Sequence, residues 1–257
     1  MCQDANLESK MEPVREKTAM GTAYAMVPSN TGKPAPTLLL FAMAGADTLI
    51  TEPYCRVGRL LHVLGWNVAS LDIPCHGADC RAGEPPELDG WAARTAAAED
   101  IVAPFQRRVN DMVAHLVAKG VADPARIAAA GTSRGGFMAF HAAAGNPCIR
   151  AVAAFAPVTD VQALSEFAGQ EANPLIKRLA LINTVDTLAG RAVWIIIGNA
   201  DDRVDTGKAM DFACALATAG KRHQPACDVT VRVVPTPGHT SCAQWHDDAA
   251  AWLRSLI

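Results

Sequence analysis

Short runs that are almost wholly apolar recur along the chain and alternate with longer segments in which apolar residues return every three or four positions. The clearest runs are residues 37–41, 127–130, 151–155 and 192–197. Strands that are apolar throughout are typical of a parallel sheet buried on both faces, and the longer spacing is typical of amphipathic helices. The pattern therefore predicts an α/β fold with a mostly parallel, twisted sheet and helices on both faces.

The weaker signals supply the remaining elements. Further strands are predicted near residues 22–27, 66–74 and 229–234, and further helices near residues 54–64, 134–144, 206–219 and 242–256. One long helix is expected over residues 92–119, kinked or split at Pro104, because proline lacks the amide donor of a helix interior. A polar loop is expected over residues 75–90.

No internal repeat or linker divides the chain, so residues 1–257 are expected to form one domain. A chain of this length can bury a sizeable core. Residues 1–20 carry mixed charge without periodicity and are expected to be a loosely attached leader. The irregular helical segment at residues 158–190 is a candidate for a small cap.

Composition narrows the range of functions. Half of the residues are hydrophobic and the formal net charge is −3, so there is no electrostatic basis for binding nucleic acid or an anionic membrane. No apolar run reaches the roughly 18 residues that span a bilayer. Without the apolar core of a signal peptide, a cytoplasmic location and reduced cysteine thiols are expected. The oligomeric state is left open.

The candidate chemistry begins directly after the strand at residues 127–130. Gly131-Thr132-Ser133-Arg134-Gly135 matches the nucleophile elbow, a sharp strand-to-helix turn that exposes one serine hydroxyl. The turn forces Ser133 towards positive φ and leaves no room for side chains at the two glycines. A serine that caps the next helix is the alternative, but the strand and helix on either side favour a nucleophile.

A serine nucleophile needs a base, because a hydroxyl reacts poorly at its free pKa. His239 follows the last predicted strand and so lies at the carboxyl edge of the sheet, where the elbow also lies. His76 follows an earlier strand and is the alternative base.

The base in turn needs a carboxylate that orients it and stabilises its charged form. Asp201 and Asp202 both follow the strand at residues 192–197. Either carboxylate could take this role, and either could instead cap the next helix.

Acyl transfer also needs backbone N–H groups directed at the developing negative charge, the oxyanion hole. The N–H of Arg134, directly after the nucleophile, is one expected donor. The second is expected from the small-residue loop after residues 37–41, with Met43 and Ala44 both as candidates.

No metal or organic cofactor is expected. Cys75, His76, Asp79 and Cys80 are metal ligands by residue type. Their spacing does not match a usual zinc pattern, and a second ligand pair is absent.

The order Ser133, Asp201, His239 resembles the α/β-hydrolase superfamily, in particular its serine esterases and the catalytic domain of prolyl oligopeptidases. Gly198-x-x-Asp201-x-x-Val204 resembles the acid loop of that superfamily, whose first aspartate orients the histidine, so the resemblance favours Asp201 over Asp202. Pro237-Gly238-His239 resembles its histidine turn.

A further motif, Asp72-x-Pro74-x-His76-Gly77, resembles a turn that commonly follows the fourth strand of the superfamily and implies a structural role for His76. Arg134 departs from the methionine, leucine or glutamine of many relatives. It could bind a substrate carboxylate, help to hold the oxyanion or form a salt bridge. Trp91 and Phe167 are expected to shape the substrate pocket.

The leading interpretation is a serine hydrolase that cleaves small carboxylic esters through an acyl-enzyme. A serine peptidase or an acyltransferase on the same scaffold is the enzymatic alternative. Peptidases of the prolyl-oligopeptidase type usually carry an added propeller, for which this chain has no room. A non-catalytic ligand-binding protein of the same fold is the third possibility. Such proteins typically lack one of the three catalytic residues, but Ser133, Asp201 and His239 are all present here.

Overall fold

Eight strands form one sheet in the order β1-β2-β4-β3-β5-β6-β7-β8 in a computed structural model that describes residues 11–32, 34–223 and 228–257. The strands are β1 (Val14–Lys17), β2 (Ala23–Val27), β3 (Ala35–Phe41), β4 (Asn67–Ser70), β5 (Ala122–Thr132), β6 (Ile149–Phe155), β7 (Ala192–Gly198) and β8 (Asp228–Val234). All neighbours from β4 to β8 in this order pair in parallel, whereas β2 pairs antiparallel with both β1 and β4 and so runs against the other strands.

Helices cover both faces of this sheet. They are α1 (Gly45–Thr48), α2 (Arg56–Val63), α3 (Glu87–Ala96), α4 (Val102–Ala118), α5 (Arg134–Gly145), α6 (Pro174–Leu179), α7 (Val185–Leu188), α8 (Thr206–Gly220) and α9 (Ala243–Leu256). Helices α2 and α9 pack together, while α4, α5, α7 and α8 form a second connected group. The predicted α/β class with a mostly parallel sheet is therefore confirmed.

The central strands are buried over most of their length, which explains why they read as uninterrupted apolar runs. β6 and β7 are buried at all but one position each, and β3 at all but one. Helix α5 is also buried at nine consecutive residues, from Gly135 to Ala143. In the described ranges no helix combines the length and the apolar character needed to cross a bilayer.

The expected leader is partly an element of the sheet. Residues 1–10 lie outside the described residues, but β1 pairs with β2 and Met11 is buried. The strand was missed because all four of its residues are exposed, so it has no hydrophobic pattern.

The single long helix expected over residues 92–119 is two helices, α3 and α4, and the break lies at residues 97–101. Asp100 causes the new start, since its Oδ1 accepts the N–H groups of Val102 and Ala103 at 2.8 and 3.0 Å. Pro104 lies in the first turn of α4, where a missing amide donor has little cost. The prediction that Pro104 marks the split was therefore wrong.

The segment between β6 and β7 consists of short helical pieces, as its irregular pattern predicts. Single 3₁₀ turns at Val161–Ala163, Ser165–Phe167 and Leu181–Thr184 accompany α6 and α7. Whether this segment acts as a cap stays a prediction.

Candidate active site

Ser133 lies at the sharp turn between β5 and α5, with φ 54° and ψ −118°. Its N–H donates to the carbonyl of Phe155 at 2.8 Å, and its own carbonyl accepts the N–H of Val158 at 3.1 Å. A non-glycine residue in such a conformation costs about 1–3 kcal/mol and persists only where the surroundings impose it. These two bonds to the end of β6 hold the serine in place above the sheet.

The flanking glycines are required for steric reasons. A Cβ at Gly131 would lie 2.3 Å from the backbone of Gly135, and a Cβ at Gly135 would lie 1.9 Å from the carbonyl oxygen of Phe41. The first contact is across the turn itself, and the second is with the end of β3. The turn can therefore close only without side chains at these positions.

His239 joins the serine to a carboxylate. Its Nε2 lies 3.0 Å from Ser133 Oγ, and its Nδ1 lies 2.8 Å from Asp201 Oδ2. The three residues follow β5, β7 and β8, whose carboxyl ends share one edge of the sheet. If Nδ1 carries the ring proton and donates a hydrogen bond to Asp201, the lone pair of Nε2 faces the serine hydroxyl. The structure thus brings together the three side chains that the sequence singled out.

Asp201 is fixed from both sides. Its side chain is fully buried, and its Oδ1 accepts the N–H groups of Arg203 and Val204 at 3.1 and 3.2 Å. Asp202 is exposed. Asp205 is the residue that caps α8, since its side chain accepts the N–H of Lys208 at 3.1 Å. Asp201 therefore contacts the histidine, and Asp205 rather than Asp201 or Asp202 caps the next helix.

His76, the alternative base, makes a local bond. It is buried, and its Nδ1 lies 2.8 Å from the carbonyl oxygen of Pro74 within the same turn. Burial is the main cause that lowers the pKa of His76. Its contacts fit the structural role that the motif implies.

The expected oxyanion donors differ in their contacts. The N–H of Arg134 begins α5 directly beside the nucleophile. The N–H of Met43 donates to Thr48 Oγ1 at 3.0 Å, so the expectation that Met43 supplies the second donor is corrected. Ala44 lies at the start of α1 and remains the predicted second donor, although Ala42 is the residue of this loop that lines the pocket.

A half-open cavity of about 360 Å³ adjoins the hydroxyl of Ser133. Its wall includes Tyr54, Leu88, Arg134, Arg203 and Ser241. Tyr54 belongs to this wall because α2 begins only at Arg56, which leaves Tyr54 in the preceding turn rather than on the predicted helix.

Trp91 and Phe167 do not line this cavity, which corrects the expectation that they shape the pocket. Their exposed fractions are 0% and 2%. The indole N–H of Trp91 donates to the carbonyl of Pro74 at 2.6 Å, and its ring packs against Phe137. Both are core residues rather than wall residues of the cavity.

The two arginines of the wall are each paired with a glutamate. Arg134 Nη1 lies 2.7 Å from Glu87, and its Nε donates to the carbonyl of Ala42 at 3.2 Å. Arg203 Nη1 lies 2.8 Å from Glu166. Sequence reasoning did not single out Arg203, although its position two residues after Asp201 placed it at the same edge of the sheet.

Across the described ranges, no group of three His, Cys, Asp or Glu side chains could hold a metal ion. Asp79, one of the four residues considered as ligands, accepts instead from Arg94 Nη1 at 2.6 Å.

Comparison of the structure with solved structures shows the α/β-hydrolase fold. A putative dipeptidyl aminopeptidase IV from Bacteroides ovatus superposes with a TM-score of 0.71 at 18% identity, covering 96% of this chain and 36% of that one. Acetyl xylan esterase 1 from Thermoanaerobacterium sp. superposes with a TM-score of 0.68 at 16% sequence identity, and the match covers 95% of this chain and 83% of that one. The S-formylglutathione hydrolase of Agrobacterium tumefaciens superposes with a TM-score of 0.63 at 18% sequence identity, and the match covers 95% of this chain and 94% of that one.

This chain therefore spans about a third of the length of the aminopeptidase and most of the length of the two smaller enzymes. Among curated proteins, none matches by sequence. Residues 106–257, which include Ser133, Asp201 and His239, match the model of the prolyl oligopeptidase family. Since this match covers more than half of the chain, the protein belongs to the prolyl oligopeptidase family of serine hydrolases.

Proposed function

We propose that this chain hydrolyses carboxylic esters of small molecules through an acyl-enzyme formed on Ser133. The observation that carries the proposal is the continuous relay from Asp201 through His239 to Ser133, with separations of 2.8 and 3.0 Å. His239 contacts both the hydroxyl and the buried carboxylate, so it acts as the general base and then as the general acid.

The reaction proceeds in two halves. Ser133 Oγ attacks the acyl carbon while His239 Nε2 takes its proton, and the imidazolium is stabilised by Asp201. The ester C–O bond then breaks, and His239 returns the proton to the alcohol that leaves. In the second half a water molecule, deprotonated by His239, attacks the acyl carbon and releases the acid and free Ser133.

Ester substrates suit the wall of the cavity. No aspartate or glutamate is among the residues that line it, as far as the structure describes the chain. A substrate ammonium group would therefore find no counter-ion there, whereas a small neutral acyl group needs none. Peptide cleavage is the second candidate, because the matching family is a family of peptidases.

A fluorophosphonate probe and a substrate panel test the proposal. The wild type is expected to label once, and Ser133→Ala is expected not to label. Ser255→Ala, which changes an exposed serine at the end of α9, is the matched control and is expected to label normally. Labelling that persists in Ser133→Ala would overturn the assignment of the nucleophile.

The panel compares nitrophenyl esters of increasing acyl length with aminoacyl nitroanilides. Higher kcat/KM for the esters supports ester hydrolysis, and higher kcat/KM for the anilides would favour the peptidase instead. Faster product formation with an added alcohol would point to an acyltransferase, and no turnover of any substrate would favour the binding protein.

A further inference from the structure

Ser241 and His246 form a second serine–histidine pair at the edge of the same cavity. Ser241 lines the cavity, and its Oγ lies 2.9 Å from His246 Nε2. Ser241 comes two residues after His239 in the turn between β8 and α9, and His246 belongs to the first turns of α9. Neither residue takes part in the relay described above.

His246 also contacts the segment that holds the nucleophile. Its ring is fully buried and stacks on the ring of Phe155, with 4.0 Å between the centroids and 20° between the planes. The carbonyl of Phe155 accepts the N–H of Ser133. One imidazole therefore contacts both the strand end that fixes the nucleophile and the turn that carries the base.

His246 is well suited to be an anchor because its own helix is fixed. The next residue, Asp247, accepts Arg56 Nε and Nη2 at 2.6 and 2.9 Å, which ties α9 to α2. Burial lowers the pKa of His246 to about 4, so the ring is neutral at neutral pH. Its Nδ1 has no partner in the described part of the chain, which leaves Ser241 as its hydrogen-bond partner.

The turn that carries His239 is held differently on its two sides. Before His239, the N–H of Thr236 donates to Asn199 Oδ1 at 3.1 Å, and the Thr236 hydroxyl donates to the carbonyl of Gly238. After His239, among the residues that the structure describes, the side-chain hydrogen bond that holds the turn is the one between Ser241 and His246.

We infer that His246 is a positioning residue which, through Ser241, fixes the turn so that His239 Nε2 stays within hydrogen-bond reach of Ser133. The inference rests on the proposed function, since it concerns the same nucleophile. A displacement of about 1 Å in a reacting group can reduce the rate about 100-fold. A loosened turn is therefore expected to slow the chemistry at Ser133 without preventing it.

The test measures the rate constant and the endpoint of fluorophosphonate labelling in His246→Phe, Ser241→Ala and the double variant. Phenylalanine keeps the stacking on Phe155 and removes the hydrogen bond. Each single variant is expected to label about 10-fold more slowly, within the range that misplacement produces, and to reach the endpoint of the wild type. The double variant is expected to be no slower than either single variant, since one contact is lost in all three.

His141→Phe is the matched control. His141 is another buried histidine whose Nε2 makes one bond, to the carbonyl of Leu179 at 3.0 Å, and whose ring contacts Phe137. This variant is expected to lower Tm while its labelling rate stays within about twofold of the wild type, because it leaves the turn at His239 unchanged. His246→Gln, which restores a hydrogen-bonding side chain, is expected to recover part of the rate.

With a nitrophenyl ester, kcat is expected to fall in His246→Phe while KM stays the same. Additive losses in the double variant, or unchanged labelling rates in both single variants, would overturn the inference. If His246→Phe does not fold, the labelling rate of Ser241→Ala tests the inference by itself, because that substitution alters a residue on the cavity wall and not a buried one. Labelling that is independent of Ser133 would refute the proposed function instead, which the Ser133→Ala experiment reveals separately.

Discussion

Gly135 lies so close to Phe41 that a β-carbon at position 135 would be 1.9 Å from the carbonyl oxygen of Phe41. Phe41 ends β3, and Gly135 is the second residue of α5. The oxygen belongs to the backbone of β3 and the β-carbon would be fixed to the backbone of α5, so neither atom can rotate away as the end of a flexible side chain could. This close approach of α5 to β3 fixes the start of the helix directly after Ser133, on the side of the turn opposite the two hydrogen bonds to the end of β6.

Gly135→Ala is therefore expected to lose about 3 kcal/mol or more of the free energy of unfolding, as severe overpacking does. The variant is also expected to lose labelling at Ser133, because relief of the clash must move the turn. Denaturation by urea and the labelling endpoint measure the two effects.

Gly120→Ala is the control for backbone strain alone. Gly120 has φ +68°, and a β-carbon added there would have no heavy atom within 4 Å. This variant is expected to lose only about 1–2 kcal/mol and to label fully. Equal stability and equal labelling in the two variants would contradict the steric account of the elbow.

Asp201 and its neighbour Asp202 offer a matched pair for the role of the carboxylate. Asp201→Asn keeps the shape of the side chain but removes the charge that holds His239, so kcat is expected to fall about 10³- to 10⁴-fold with little change in KM. Asp202→Asn, at an exposed position, is expected to stay within about threefold of the wild type. Steady-state kinetics with one ester measures both, and comparable losses would show that Asp201 has no special role.

The salt bridge between Arg134 and Glu87 leads to a prediction about substrate charge. Glu87 is 56% exposed at its side chain, so the pair contributes less than about 1 kcal/mol to stability. Glu87→Gln leaves Arg134 beside the nucleophile without its counter-ion. The ratio of kcat/KM for an anionic ester to that for a neutral ester of equal length is expected to rise about three- to tenfold, equivalent to ~1 kcal/mol.

The double variant Glu87→Gln with Arg134→Ala is the control, and it is expected to return the ratio to that of the wild type. A ratio that Glu87→Gln leaves unchanged would mean that Arg134 serves only to hold the loop at Ala42, to which its Nε donates.

The central strands and the order of the candidate triad could be predicted from the sequence because both are local signals. A strand buried on both faces is apolar throughout, and the motifs around Ser133, Asp201 and His239 each belong to one turn. Parallel pairing then brings the three turns to one edge of the sheet. Neither prediction depends on knowing a contact between residues distant in sequence.

The errors arose where a neighbour distant in sequence decides the outcome. β1 is held by its pairing with β2 and carries no apolar pattern. The loop position of Trp91 predicts a place in the pocket wall, but its indole is buried against Phe137. Met43 is a different case, because its N–H donates to Thr48 Oγ1 only five residues later, a local contact that no motif in the loop indicates.

Two buried histidines are expected to make the protein less stable in mild acid. Burial lowers the pKa of His141 and of His246 to about 4. An unfolded chain binds protons at histidine below about pH 6.5, whereas these two folded side chains bind them only near pH 4. The unfolded state therefore holds more protons in this window, and the free energy of unfolding falls as pH drops from about 6.5 to about 4.

Each of these histidines contributes about 3 kcal/mol to the fall, since one pKa unit corresponds to about 1.4 kcal/mol. Urea denaturation of the wild type, His141→Phe and His246→Phe at pH 7.5 and at pH 4 measures this contribution. Each variant is expected to lose less stability than the wild type between the two pH values, by about 3 kcal/mol. The hydrogen bond from Arg203 lowers the pKa of Glu166, and carboxylates of this kind add to the loss only below about pH 4.5. A fall that is as steep in both variants as in the wild type would show that other groups cause it, because phenylalanine takes up no proton.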